Sequence, residues 1–126
     1  MLYPLCSFYK QAFRTICTSN RYVLAGIQDA NIWLPNTGEV FRGADKYIAF
    51  NKKYPGRWFA QVQTLFTDGT VVISIVKVVD EEETAGFFVT SIFSFSGQLI
   101  SDIKEYWGEN GDAPQWRLDE GLSEFY

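Results

Sequence analysis

Glu105 is the residue of this chain whose type and setting most directly invite chemistry. From Leu99 onward, Leu99, Ser101, Ile103, Glu105 and Trp107 alternate with Ile100, Asp102, Lys104 and Tyr106, and strand alternation sends the two sets to opposite faces. The first set is the more apolar and is expected to face an interior hollow. A carboxyl beside a tryptophan in a low-dielectric site has its pKa raised, which suits it to general acid or base work. The competing expectation is a Glu105 that merely pairs with an Arg, a Lys or a Tyr hydroxyl at the rim.

Aromatic residues make up 17% of the sequence, and large rings fill cores, wall ligand pockets and anchor interfaces. Trp33, Tyr47, Trp58, Phe93 and Trp107 are the expected pocket walls, since small-molecule sites are mostly apolar with a few placed polar groups. Core packing is the alternative for each. Tyr9 is expected to aim its hydroxyl into the same hollow, or else to hydrogen-bond backbone. Gln61 and Gln63 are assigned to an interface or to solvent.

Other chemistries find little support. There is no histidine and there are two cysteines, so no metal site, no cofactor and no Ser or Cys nucleophile with a histidine base is expected. Glu109-Asn110-Gly111-Asp112 lacks calcium-loop spacing. No phosphate loop or dinucleotide glycine pattern is present. Cys6 and Cys17 on one continuous helix would lie about 16 Å apart, beyond the roughly 7 Å a disulfide allows. Reduced thiols and a cytoplasmic location are the simplest expectation.

Eleven basic against fifteen acidic residues give a formal net charge of −4, which disfavours nucleic acid. The local basic stretch Arg42, Lys46, Lys52, Lys53 and Arg57 reads as a solvated helix face. No basic leader precedes an apolar core, so no signal peptide is expected. The most apolar run, Val71 to Val79, is too short for a bilayer and contains Ser74 and Lys77. No membrane partner is expected.

The elements that must position these residues follow from periodicity. Leu2, Leu5, Cys6, Tyr9, Phe13, Ile16 and Cys17 form a helical stripe, and a second short helix is expected through Leu24. Asp29 to Leu34 reads as extended, stopped by Pro35-Asn36-Thr37-Gly38. Ala44, Tyr47, Ile48 and Phe50 make the apolar side of a third helix that ends before Tyr54-Pro55-Gly56. Alternation then takes over, with Trp58, Ala60, Val62, Thr64 and Phe66 on one face and Asp68-Gly69 as a hairpin turn. Strands are expected over Thr70 to Val79, Thr84 to Ser94 and Leu99 to Trp107, with Ser96-Gly97 at the last turn. The Asp112 to Arg117 tail is expected to fold back, Trp116 docking on a sheet edge.

Three helices followed by four long strands specify one α+β domain over 1–126, with N-terminal helices packed on a strongly curved antiparallel sheet. Both faces of that sheet are apolar, because Val71, Ile73 and Ile75 alternate with Val72, Val76 and Val78. A sheet with one wet face would be polar on the second set. The outer face is therefore expected to be covered, by a second copy of the chain.

The stretch Tyr22 to Pro35, then Gly38, Arg42-Gly43 and Tyr47-Ile48-Ala49-Phe50, resembles the nuclear-transport-factor-2-like superfamily with its SnoaL-like members. The hairpin Phe93 to Trp107, ending Glu105-Tyr106-Trp107-Gly108, is similar to that superfamily's last two strands. The resemblance implies a cone-shaped α+β fold, a pocket between helices and sheet, and homodimers packed through the sheets. It implies no single activity. Ketosteroid isomerases of this fold carry acids where this chain has Leu34 and, nearby, Val89. The dehydratases need histidine, and no Asp-Arg-Asp arrangement of the epoxide hydrolases is matched. The SnoaL-like cyclases use an acid near the end of the last strand, where Glu105 and Glu109 are closest.

Three readings follow. The first is a module binding a small apolar or aromatic ligand in the hollow. The second is a cofactor-free lyase, isomerase or cyclase in which Glu105 shuttles a proton. The third is a protein-protein adaptor or dimerisation module.

Overall fold

The structure, a computed structural model, describes residues 29–97 and 99–126. The two expected N-terminal helices, with Cys6, Tyr9 and Cys17, lie outside the described residues. Within them the chain forms β1 (Asn31–Leu34), β2 (Glu39–Arg42), α1 (Ala44–Lys53), β3 (Trp58–Thr67), β4 (Val71–Asp80), β5 (Gly86–Ser96), β6 (Leu99–Glu109) and a short α2 (Gln115–Asp119). The strands make one six-stranded sheet in the order β2-β1-β6-β5-β4-β3.

β3 to β6 form the expected meander, because three short turns join strands long enough to pair along their lengths. Asp68 caps the first turn, its Oδ1 accepting from Thr70 N at 2.8 Å and Val71 N at 3.1 Å. Asp80 does the same at the second, accepting from Thr84 N at 2.7 Å and Ala85 N at 3.1 Å. Carboxylates that gather backbone N–H groups in this way stabilise tight turns.

The sheet is mixed, which corrects the purely antiparallel expectation. β1 runs parallel to β6, with Ile32 opposite Ile103, and the unforeseen β2 returns antiparallel beside it. The physical reason is the turn at Leu34 O, which accepts from Thr37 N and Gly38 N at 3.2 and 3.0 Å and reverses the chain. Gly43 N then donates to Ala30 O at 3.1 Å, setting the start of α1 against β1.

Two irregularities change which residues share a face. In β3 the register shifts between Val62 and Thr64, so Thr64 and Phe66 pair with Ile75 and Ile73 on the outer face. They do not continue the row of Trp58, Ala60 and Val62. In β6 the pairing skips Ser101, and Ile100 is buried at 4% exposure while Leu99 is 56% exposed. An extra residue inserted in one strand inverts alternation on one side of it, so the expected Leu99-to-Trp107 face holds only from Ile103 onward.

The core lies on the face turned toward α1, where Ile32, Phe93 and Ile103 are almost fully buried with Tyr47, Val76 and Val89. Trp116, expected to dock on a sheet edge, is 66% exposed, with the Arg117 guanidinium 5.6 Å from its ring centroid.

Candidate functional site

A recess of about 190 Å³ opens between α1 and the β3–β6 end of the sheet, lined chiefly by Tyr47, Phe50, Tyr54, Trp58, Phe87 and Trp107. Helical spacing puts Tyr47, Phe50 and Tyr54 on one side of α1 and its C-terminal cap. The turn Pro55-Gly56 then delivers Trp58. Its indole N–H donates to Pro55 O at 2.8 Å, and Gly56 takes a φ of 88° that favours glycine. A Cβ there would meet the Trp58 indole nitrogen at 3.3 Å. Phe87 and Trp107 enter from β5 and β6.

The six rings follow one another without a gap. Centroid separations are 6.3 Å for Tyr47–Phe50, 6.0 Å for Phe50–Tyr54, 5.8 Å for Tyr54–Trp58, 5.5 Å for Trp58–Phe87 and 5.8 Å for Phe87–Trp107. All lie within the range in which aromatic pairs attract beyond simple burial. The circuit is closed by one atom. Glu105 Oε2 accepts from the Tyr47 hydroxyl at 2.6 Å and from Trp107 Nε1 at 2.8 Å.

Glu105 is only 5% exposed. Burial pushes its carboxyl above the ordinary value of 4.5, and the hydrogen bonds from Tyr47 and Trp107, which favour the anion, oppose that rise without cancelling it. Among the described residues no cation is paired with it; the one ion pair is the exposed Arg57–Glu81 contact at 3.4 Å. Cross-strand register sets Ser91 opposite Glu105 and Ser74 opposite Ser91. These three make a polar row through the buried face, and the fully buried Ser74 Oγ has no hydrogen-bond partner. No group of three His, Cys, Asp or Glu suited to a metal ion occurs among the described residues.

No protein-family model matches the sequence, and no curated protein matches it either. Solved structures do. A candidate ketosteroid isomerase from Kribbella flavida DSM 17836 is 24% identical, covering 98% of this chain and 88% of its own, with a TM-score of 0.71. The chain has the nuclear-transport-factor-2-like fold. A protein so described, of unknown function, from Burkholderia xenovorans LB400 is 20% identical with a TM-score of 0.60, over 79% of this chain and 76% of its own. A candidate SnoaL-like polyketide cyclase from Jannaschia sp. CCS1 is 10% identical over 84% and 83%, with a TM-score of 0.59.

On this nuclear-transport-factor-2-like scaffold the structure brings Glu105, Tyr47, Trp58 and Trp107 together. Glu105 does not itself line the recess; Tyr47 and Trp107 stand between. Two further sequence-expected wall residues lie elsewhere. Phe93 is buried in the core, opposite Ile103 and Val72. Trp33 lies on the outer face with Lys104, its Nε1 donating to Asp102 Oδ1 at 2.9 Å under the Arg42 guanidinium. Tyr9 lies outside the described residues. Leu34 borders the recess and Val89 is buried opposite Trp107.

Phe50, Tyr54 and Phe87 are the aromatic wall residues missed from sequence, beside Leu34, Asn51 and Val78. The first two were legible, being three and seven residues beyond Tyr47 on the same helical stripe. Phe87 gave no such signal, because adjacent Phe87 and Phe88 leave the inward one undecided until the register is known.

Among the described residues no helix is long and apolar enough to cross a membrane.

Proposed function

We propose that this chain is a small-molecule-binding domain that holds an apolar or aromatic ligand in a cone-shaped recess between α1 and the sheet. The closed circuit of six aromatic rings carries this reading. Packing alone has no need of an open space at the centre of such a circuit, whereas ligand sites are walled in this way. At about 190 Å³ the space favours a one- or two-ring ligand over a polycyclic one. A thermal-shift panel of small neutral aromatics, indole among them, tests it, because a ligand that prefers the native state raises the melting temperature. The rise should vanish in Trp58→Ala. A panel in which nothing shifts the wild-type midpoint would refute the reading.

A cofactor-free isomerase, cyclase or lyase is favoured by one separate observation, the buried carboxyl with a raised pKa. Because Glu105 sits behind Tyr47 and Trp107, a proton would travel through the Tyr47 hydroxyl in such an enzyme. Tyr47→Phe would then abolish turnover while sparing ligand affinity.

We also propose a homodimer through the outer face of the sheet, where Phe59, Phe66, Ile75, Phe88 and Tyr106 are exposed. An apolar surface of this kind marks an interaction site. Sedimentation at micromolar concentration should give twice the chain mass, and Phe66→Asp with Phe88→Asp should halve it.

A further inference from the structure

The charges around the recess are one-sided. Among the described residues its lining contains neither Lys nor Arg, and the nearest basic side chains face away from it. Lys77 and Lys104 sit on the outer face of the sheet by register. Lys52 and Lys53 are exposed on α1, and Arg57 is engaged with Glu81 and the Phe59 ring. Beneath the recess lies a carboxyl whose two partners, Tyr47 and Trp107, are both neutral donors to the same oxygen. Both bonds go to Oε2, and among the described residues none is made to Oε1. Asn51, the one amide among the described lining residues, spends its Nδ2 on Tyr47 O at 2.9 Å, and among the described residues its Oδ1 accepts no hydrogen bond.

Among the described residues, the acceptors left without a donor beside the recess, Glu105 Oε1 and Asn51 Oδ1, are both negative. Aromatic rings add to this, since their faces carry the negative end of the ring quadrupole and attract cations within about 6 Å of the centroid. The edges of Tyr47 and Trp107 that bear O–H and N–H, the positive parts, are already turned to Glu105. An ionised carboxyl buried among neutral groups is costly until a positive charge reaches it.

We infer that the recess selects a small organic cation, an alkylammonium whose methyl or methylene groups pack on the rings while its charge is answered from behind Tyr47 and Trp107 by Glu105. The inference rests on the ligand-binding reading above and narrows it: the ligand is apolar in surface and positive in charge. A metal ion or a bare primary ammonium fits less well, because the walls supply too few oxygens to replace the water either would surrender. The net charge of −4 draws such a ligand in and repels anions of the same shape.

Choline and its neutral carbon isostere, 3,3-dimethylbutan-1-ol, share size and shape and differ in charge. Titrated separately into the full-length wild-type chain by calorimetry, choline should bind about tenfold or more tightly than the alcohol, a ratio expected of a partly desolvated cation–aromatic contact. Glu105→Gln keeps an acceptor for Tyr47 and Trp107 and should shrink that ratio to a few-fold. The wild-type comparison needs no variant, so a misfolded Glu105→Gln would not blunt the test. Equal or tighter binding of the alcohol overturns the cation inference and leaves an apolar-ligand site standing. Failure of both probes while indole binds also overturns the cation inference alone. If choline, the alcohol and indole all fail to bind, both readings fall.

Discussion

Asp68 and Asp80 at the hairpin turns, and Glu105 beneath the recess, are carboxyls on the same sheet in opposite electrostatic circumstances. Each turn aspartate is reached by water, Asp68 exposed and Asp80 half-buried, and gathers backbone and hydroxyl donors. Backbone N–H and hydroxyl of Thr70 hold Asp68 down to about 2, and the Thr84 hydroxyl with the N–H groups of Ala85 and Thr84 holds Asp80 below its ordinary value. Glu105 has two good hydrogen bonds and is nevertheless pushed up, because burial outweighs them. Hydrogen bonds alone do not keep a carboxyl ionised; access to solvent decides. The turn carboxylates are built for structure, whereas the recess holds one whose charge is left for something else to answer.

Removing one donor from each region should separate the two most strongly. Tyr47→Phe deprives buried Glu105 of one of two partners and should cost about 1–3 kcal/mol in denaturant unfolding, the range for a buried group left short of a bond. Thr84→Ala removes a partner of Asp80 in water, which can replace it, so the loss should be clearly smaller. Equal losses at the two sites would erase the distinction.

A smaller effect, of opposite sign in the two regions, is expected from pH. The folded-state pKa of Glu105 lies above its unfolded value of 4.5. Its contribution to stability is therefore full below 4.5 and is lost as pH rises through the folded pKa. Asp68 runs the other way. Its contribution is present above 3.8 and is lost as pH falls through about 2. Chemical denaturation of Glu105→Gln across this range should show the loss at rising pH removed and the acid-side loss of stability retained. Smallest of all is Arg57→Ala at the exposed Arg57–Glu81 pair, which should leave the unfolding midpoint unchanged within error, as solvated ion pairs contribute little.

Much of the frame is legible in the sequence. The stop of α1 at Tyr54-Pro55, the Asp68-Gly69 hairpin and the inward set Ile103, Glu105 and Trp107 follow from local rules, because proline, glycine and alternation act over a few residues. The bulges at Gln63 and Ser101 did not, since neither residue is a glycine or proline and an inserted residue costs the pattern nothing locally. They misassigned Thr64, Phe66 and Leu99. The parallel pairing of β1 with β6 joins segments far apart in the chain, and no local signal records it. Trp33 was misplaced for a related reason: a large ring invites burial, but here its N–H is taken up by Asp102 on the outer face. The link from Tyr47 to Glu105 spans 58 positions and became visible only when α1 was set against the sheet.

Carbon-13 titration of the Glu105 side-chain carboxyl, assigned by its loss in Glu105→Gln, reads the ionisation of this group without any ligand. A midpoint clearly above 4.5, shifted higher again in Tyr47→Phe, is the predicted result. A midpoint at or below 4.5 would contradict it, showing a carboxyl already answered by water or by a cation and removing the reason for the site to seek one.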